Sequence, residues 1–266
     1  IDLDVKDLLW DEHEFTDISG KLLMAKRKAP ATNFNLKTSG GHVSGHLVLN
    51  NLLDDGNIIE GELKFDGINV KSLFTEWNNF DQTTITDQHL SGIGSGSIDL
   101  LLFFNPYFSV IEEKIYAVPT IEIKNGELNG LETMKLITDY MRSNTALKLM
   151  LNKHIDQFEE KLLNLKFSQL SNQLEIKDRK IFIPKMKIIT NAVELELFGL
   201  HDFDNNVDYH FSFRFRDLKT AAVYTEFGKI VDDGLGLVIY LSMSGPINNP
   251  TYAFDSDERK NDIKEN

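Results

Sequence analysis

A chain of 266 residues with 41% hydrophobic and 26% charged content has enough apolar side chain for a full core, which excludes a disordered segment. Lys and Arg total 28 against 41 Asp and Glu, a net charge of −13, and no basic cluster stands out, so nucleic acid is a poor partner. The lack of cysteine removes disulfides, thiol catalysis and thiolate metal sites.

No stretch approaches the roughly 18 consecutive apolar residues of a spanning helix. The longest apolar runs are short ones such as Ile98 to Phe104, which Asp99 interrupts. The chain begins at Ile1 without a charged and then apolar leader, so it reads as a piece of a longer protein whose membrane anchor lies elsewhere.

Along the chain the dominant period is two, the mark of strands with one apolar and one polar face. Gly45 to Leu49 and Ile59 to Phe65 come first, separated by the turn Asp54-Asp55-Gly56-Asn57. A short helix is predicted over 70–78, where Val70, Leu73, Phe74 and Trp77 share a side. Gly92, Gly94 and Gly96 lead into Ile98-Asp99-Leu100, and Ile121-Glu122-Ile123 precedes the turn Lys124-Asn125-Gly126. Over 131–165 the spacing changes: Met134, Ile137, Met141, Leu147, Leu151, Ile155, Phe158 and Leu162 recur at three and four. That predicts helices, with Ser143-Asn144 able to cap a second one. Strands return at Val193 to Leu197 and Tyr209 to Phe215, joined through the turn Asp204-Asn205-Asn206. A further short helix is predicted over 218–231, and residues 255–266, charged and turn-rich, are expected to be mobile. The expected fold is mainly β: a long curved antiparallel sheet forming a groove or half-pipe, one extended domain over 1–254 with a possible sub-boundary near 130.

Candidate chemistry is sparse. His42 and His46 are four apart, but Gly40, Gly41 and Gly45 set them on a turn and strand. There they would stand about 13 Å apart, too far to share one ion. The glycines at 92, 94 and 96 lack the spacing and Lys-Ser/Thr ending of a phosphate loop and read as close backbone packing. The pairs Asp54-Asp55, Glu112-Glu113 and Asp232-Asp233 sit in polar, turn-like stretches and read as solvated charge. No catalytic residue, metal site or cofactor is therefore expected.

The apolar content of the strands is the unusual feature. The chain has 18 phenylalanines, and Tyr209, Phe211, Phe213 and Phe215 fall on one face of one strand. Roughly ten to fourteen strands would face only about three or four short helices, so either the sheet folds over on itself or part of an apolar face stays open. An open trough could hold acyl chains. At about 25 cal/mol per Å², several hundred Å² removed from water contributes on the order of 10 kcal/mol before ordering costs. The candidate lining is Val193, Leu195, Leu197, Tyr209, Phe211, Phe213 and Phe215.

Several segments carry a resemblance. Phe167-Ser-Gln-Leu170, Leu174-Glu-Ile176, Ile181-Phe-Ile183-Pro-Lys-Met186, Val193-Glu-Leu-Glu-Leu-Phe-Gly199 and Val207-Asp-Tyr209 resemble the closing module of AsmA-like envelope proteins. Upstream, Leu90-Ser-Gly-Ile-Gly-Ser-Gly-Ser-Ile-Asp-Leu100 and Ile121-Glu-Ile-Lys-Asn-Gly-Glu-Leu128 resemble the strands before that module's helix. Near the end, Met243-Ser-Gly-Pro-Ile-Asn-Asn-Pro250 is similar to the terminal strand and turn. The resemblance implies a periplasmic, inner-membrane-anchored, non-enzymatic protein with a β-groove related to bridge-like lipid transfer proteins. It would bind phospholipid or another acyl lipid and serve phospholipid transport or outer-membrane biogenesis. A protein-binding scaffold, docking an envelope protein by edge-strand addition or through its acidic surface, is the alternative. A hydrolase of envelope polymers is a third.

Overall fold

The computed structural model describes residues 1–10, 13–51, 56–81, 85–130, 132–151, 155–215, 223–225, 228–230 and 237–265. The fold is mainly β, built on one large antiparallel sheet of 14 strands that is not closed into a barrel. Its first strands are β1 (Asp2–Trp10), β2 (His13–Leu22), β3 (Lys28–Thr38), β4 (Gly41–Asn51), β5 (Asn57–Asn69), β6 (Leu90–Phe104) and β7 (Tyr116–Asn129), side by side in chain order. The path continues through β9 (Glu175–Lys177), β10 (Lys180–Ile189), β11 (Glu194–Asp202), β12 (Asn206–Phe215), β15 (Leu237–Pro246) and β16 (Thr251–Phe254), while β8 (Asn164–Gln173) pairs with β7 beside it.

Short turns fix this order. Between β3 and β4, Ser39 and Gly40 both take positive φ, 48° and 75°, the geometry that matches the twist of two flanking strands. Asp178 and Arg179 do the same between β9 and β10, at 52° and 56°. Between β11 and β12 the Asn206 amide donates to Asp202 Oδ1 at 2.7 Å, and Asn205 supplies the left-handed residue at φ 61°.

The chain divides into two compact units, residues 1–124 with 171–182, and residues 125–170 with 183–266. The second has a conventional core. Register places Leu195, Phe213 and Ile239 in one row across β11, β12 and β15, and Leu197, Phe211 and Leu241 in the next. The predicted helical stretch is three helices, α2 (Glu132–Ser143), α3 (Thr145–Leu151) and α4 (Ile155–Leu162), with Asn144 capping α3 through its side-chain oxygen and the Leu147 amide. Their apolar sides are enclosed: Ile137, Met141, Leu147 and Leu162 are at most 2% exposed, and Phe158 meets Phe213 edge-on at 6.2 Å. Arg142 ties α2 to α4 through Asp156 and Glu159. A second close fit lies at Gly126, where a Cβ would come within 2.0 Å of Phe167 Cζ, so the ring occupies the space that a side chain there would need.

Two predicted elements differ. Residues 255–266, expected to be mobile, form α5 (Ser256–Glu265), because Asp255 caps it by accepting the Glu258 amide at 3.0 Å. Asp255 is buried, meets His210 Nδ1 at 2.5 Å, and Lys185 reaches Glu258 on the first turn at 2.5 Å. Charge and turn content hid an Asp-x-x-Glu start signal. In place of the helix predicted over 218–231, the described residues form the strands β13 (Val223–Thr225) and β14 (Gly228–Ile230). They pair as a separate two-stranded ribbon, which the β-branched and aromatic content of Val223-Tyr224-Thr225 favours. The remaining positions of that stretch lie outside the described residues.

The short helix predicted over 70–78 is α1 (Val70–Glu76), capped by Asn69. It belongs to the first unit, where among the described residues it is the only α-helix. The enclosed apolar residues of that unit are Ile18, Leu36, Ile68, Val70 and Ala117.

Two stability outcomes follow from this packing. Phe213→Ala removes a ring with 0% exposure and is expected to cost about 3–5 kcal/mol in chemical denaturation. Asp255→Ala is expected to cost about 1 kcal/mol and to raise amide hydrogen exchange through the first turn of α5.

Candidate functional site

The strand face singled out in the sequence lies in the second unit, and its helices occupy it. Val193, Leu195 and Phe211 are each 5% exposed, and Phe213 is fully enclosed against Phe158. These four side chains are core and present no surface to a ligand. Leu197 and Tyr209 are half-buried at its margin. The Tyr209 hydroxyl lies 3.0 Å from His201 Nδ1, and burial pushes its phenol well above the ordinary value. Phe215 pairs through its backbone with Leu237, and its side chain falls outside the described ones.

The open apolar surface is in the first unit. Cross-strand register builds it row by row, because residues paired across antiparallel strands point to the same face. Leu36, Val43, Phe65 and Gly96 form one row across β3, β4, β5 and β6. Phe34, Gly45, Leu63 and Ile98 form the next, then Ala31, Leu47, Gly61 and Leu100, then Ala29, Leu49, Ile59 and Leu102. The opposite face is mixed: Ser44, Lys64 and Ser97 form one row and His46, Glu62 and Asp99 another, followed by Pro30, Val48, Glu60 and Leu101 and then Asn50, Ile58 and Phe103. His42 and His46 therefore sit on this opposite face, paired with Asp66 and Glu62.

Glycines keep the apolar face continuous. A Cβ on Gly61 would stand 3.0 Å from Leu47 Cδ2, and one on Gly96 would stand 2.9 Å from Phe65 Cζ. A large side chain on one strand thus covers the glycine on the next. A Cβ on Gly96 would also come within 2.0 Å of the Thr120 carbonyl oxygen, so the glycine run at 92–96 serves close backbone approach.

Among the described residues α1 covers one end of this face. Val70 of α1 lies over Gly94, its Cγ2 3.4 Å from where a Cβ would stand, and Trp77 stacks on His13 with ring centroids 4.1 Å apart. Away from that end Leu47, Leu49, Ile59, Leu63, Ile98, Leu100 and Leu102 remain half-buried. The signal for them was present in the sequence as alternation in three successive strands. Register was needed to align them.

Among the described residues no group of three or more His, Asp or Glu is placed to hold a metal ion. An open hollow of ≈ 530 Å³ beside Ser95, Gly96, Thr120 and Asn172 has one carboxylate, Glu122, which pairs with Lys124 at 2.6 Å and holds that amine above its usual range. No helix among the described residues is long and apolar enough to cross a membrane.

Comparison with known proteins finds no matching family model, no matching curated protein and no matching solved structure.

Proposed function

We propose that this chain shields the acyl chains of lipids on the apolar face of β3–β6, as a non-enzymatic module of a bacterial envelope protein. The observation that carries the reading is the four-row apolar surface from Ala29–Leu36 to Gly96–Leu102, half-buried apart from the enclosed Leu36 and, among the described residues, with α1 as the α-helix of its unit. A surface of that kind recognises hydrocarbon without directional hydrogen bonds, and each methylene taken out of water contributes about 0.8 kcal/mol. On the opposite face the rows Ser44, Lys64, Ser97 and His46, Glu62, Asp99 let the same strands stay wet there.

The resemblance to AsmA-like proteins supplies the biological setting: phospholipid transport or outer-membrane biogenesis, in the periplasm, with a membrane anchor supplied by another part of the protein. A protein-binding scaffold is the second reading. It is favoured by β1, an outer strand of nine residues with Val5 38% and Leu8 45% exposed.

Two measurements test the proposal. Native mass spectrometry after gentle purification is expected to find acyl lipid bound to the chain, and repeated recovery of lipid-free protein that also fails to saturate with a fluorescent fatty acid would sink it. Leu63→Glu combined with Leu100→Glu puts two charges on the open face and is expected to weaken fatty-acid binding at least about tenfold. Unchanged affinity in a variant that keeps its β-sheet circular dichroism would move the lipid elsewhere.

A further inference from the structure

One end of the apolar face is closed by α1, and the opposite end has a different character. The Asn51 amide donates to the Arg27 carbonyl at 2.8 Å, Asn51 pairs with Asn57, and Asn57 pairs with Phe104. The β2–β3 turn and the start of the β6–β7 connection therefore stand on one level of the sheet, about 14 Å apart across three strand spacings.

Both loops expose apolar side chains. Leu23 and Met24 on the β2–β3 turn are 61% and 69% exposed, and Tyr107 and Phe108 after β6 are 90% and 57% exposed. The second loop is not slack. Asn105 Oδ1 accepts the amides of Tyr107 at 2.9 Å and Ser109 at 3.0 Å, and the Asn105 amide donates to the Ser109 carbonyl. This turn fixes the backbone that presents the two aromatics. Phe108 lies 6.2 Å from Phe104, at the margin of the apolar face, so the exposed aromatics continue that face to its rim.

Charge on the β2–β3 turn runs against the rest of the chain, whereas the β6–β7 connection leads into the exposed Glu112 and Glu113, of which Glu112 pairs with Arg179. Between Asp17 and Asp54 the sequence holds Lys21, Lys26, Arg27, Lys28 and Lys37 and no acidic residue, in a protein of net charge −13. Lys37 pairs with Asp17 at 2.7 Å, whereas Lys26, Arg27 and Lys28 are exposed at the turn with no carboxylate partner among the described residues. Whole-chain composition hides this cluster, and the topology brings it to the rim. Asp54 and Asp55, between β4 and β5 in the chain, lie outside the described residues. Cations beside protruding Leu, Met and aromatic side chains match an anionic phospholipid surface: phosphates pair with the charges while the apolar tips enter the headgroup boundary.

We infer that the end of the sheet formed by Leu23–Lys28 and Asn105–Val110 docks onto an anionic phospholipid bilayer, bringing the open end of the apolar face against the lipid. This rests on the acyl-shielding reading for its purpose, and its test separates the two. Flotation of the full chain with phosphatidylcholine vesicles, with and without an anionic phospholipid, measures docking. A monomeric fluorescent fatty acid, without vesicles, measures acyl shielding. Docking is expected on the anionic vesicles only and is expected to be lost at high salt. Lys26→Gln with Arg27→Gln and Lys28→Gln is expected to weaken it about a hundredfold, near fivefold for each cation, with fatty-acid binding unchanged. Tyr107→Ser with Phe108→Ser is expected to weaken it about tenfold and to leave the salt dependence in place. Absence of vesicle binding by the unaltered chain at low salt, or undiminished binding after the three cations are neutralised, overturns the inference. Cation-dependent capture of polyglutamate without vesicle binding would overturn it too, assigning the rim to an acidic protein. Loss of fatty-acid binding by the unaltered chain, with vesicle docking intact, would instead remove the acyl-shielding reading alone.

Discussion

An antiparallel sheet has two faces, and an apolar one must be covered by another layer of the same chain, by a partner, or by a ligand. That constraint separates the two units of this protein. Where α2, α3 and α4 are available, the aromatic strand face is enclosed and Phe213 has no exposure. Where α1 is the only described α-helix, cover stops after the Gly94 end and rows of Leu and Ile remain half-buried.

The same alternation thus has two outcomes. Leu195, Phe213 and Ile239 form a row as apolar as Leu47, Gly61 and Leu100, yet the first is a core and the second a surface. What differs is the third dimension of packing. In the open rows Gly61 and Gly96 also accept the Leu47 and Phe65 side chains of the neighbouring strands. An apolar strip suits a flexible hydrocarbon chain, whose shape varies and which offers no polar atom along its length.

The two ends of this strip are chemically distinct. Trp77 stacked on His13 closes one with aromatic packing. The other ends in exposed Met24, Tyr107 and Phe108, with Lys26, Arg27 and Lys28 on the β2–β3 turn, and is the end proposed above for contact with lipid. The opposite face carries Lys64, Glu62 and Asp99 in its middle rows and Val48, Leu101, Ile58 and Phe103 nearer the second end.

The sequence by itself determined most of the local structure. Period-two alternation located the strands from Gly45 to Leu49 and from Tyr209 to Phe215, three-and-four spacing located α2 to α4, and glycine placement marked close strand contact at 92–96, since each of these is a property of neighbouring residues. It missed α5, whose Asp255 cap was masked by a charged composition, and it predicted a helix where Val223–Thr225 and Gly228–Ile230 pair as strands. Only the tertiary structure decided which apolar face is roofed and which is open, and which loops meet at one end of the sheet. Those facts depend on register between strands far apart in the chain and on where a helix comes to rest. Alternation records that a side chain faces one way but not what stands opposite it, so Phe213 and Leu63 read alike in sequence and differ in surroundings.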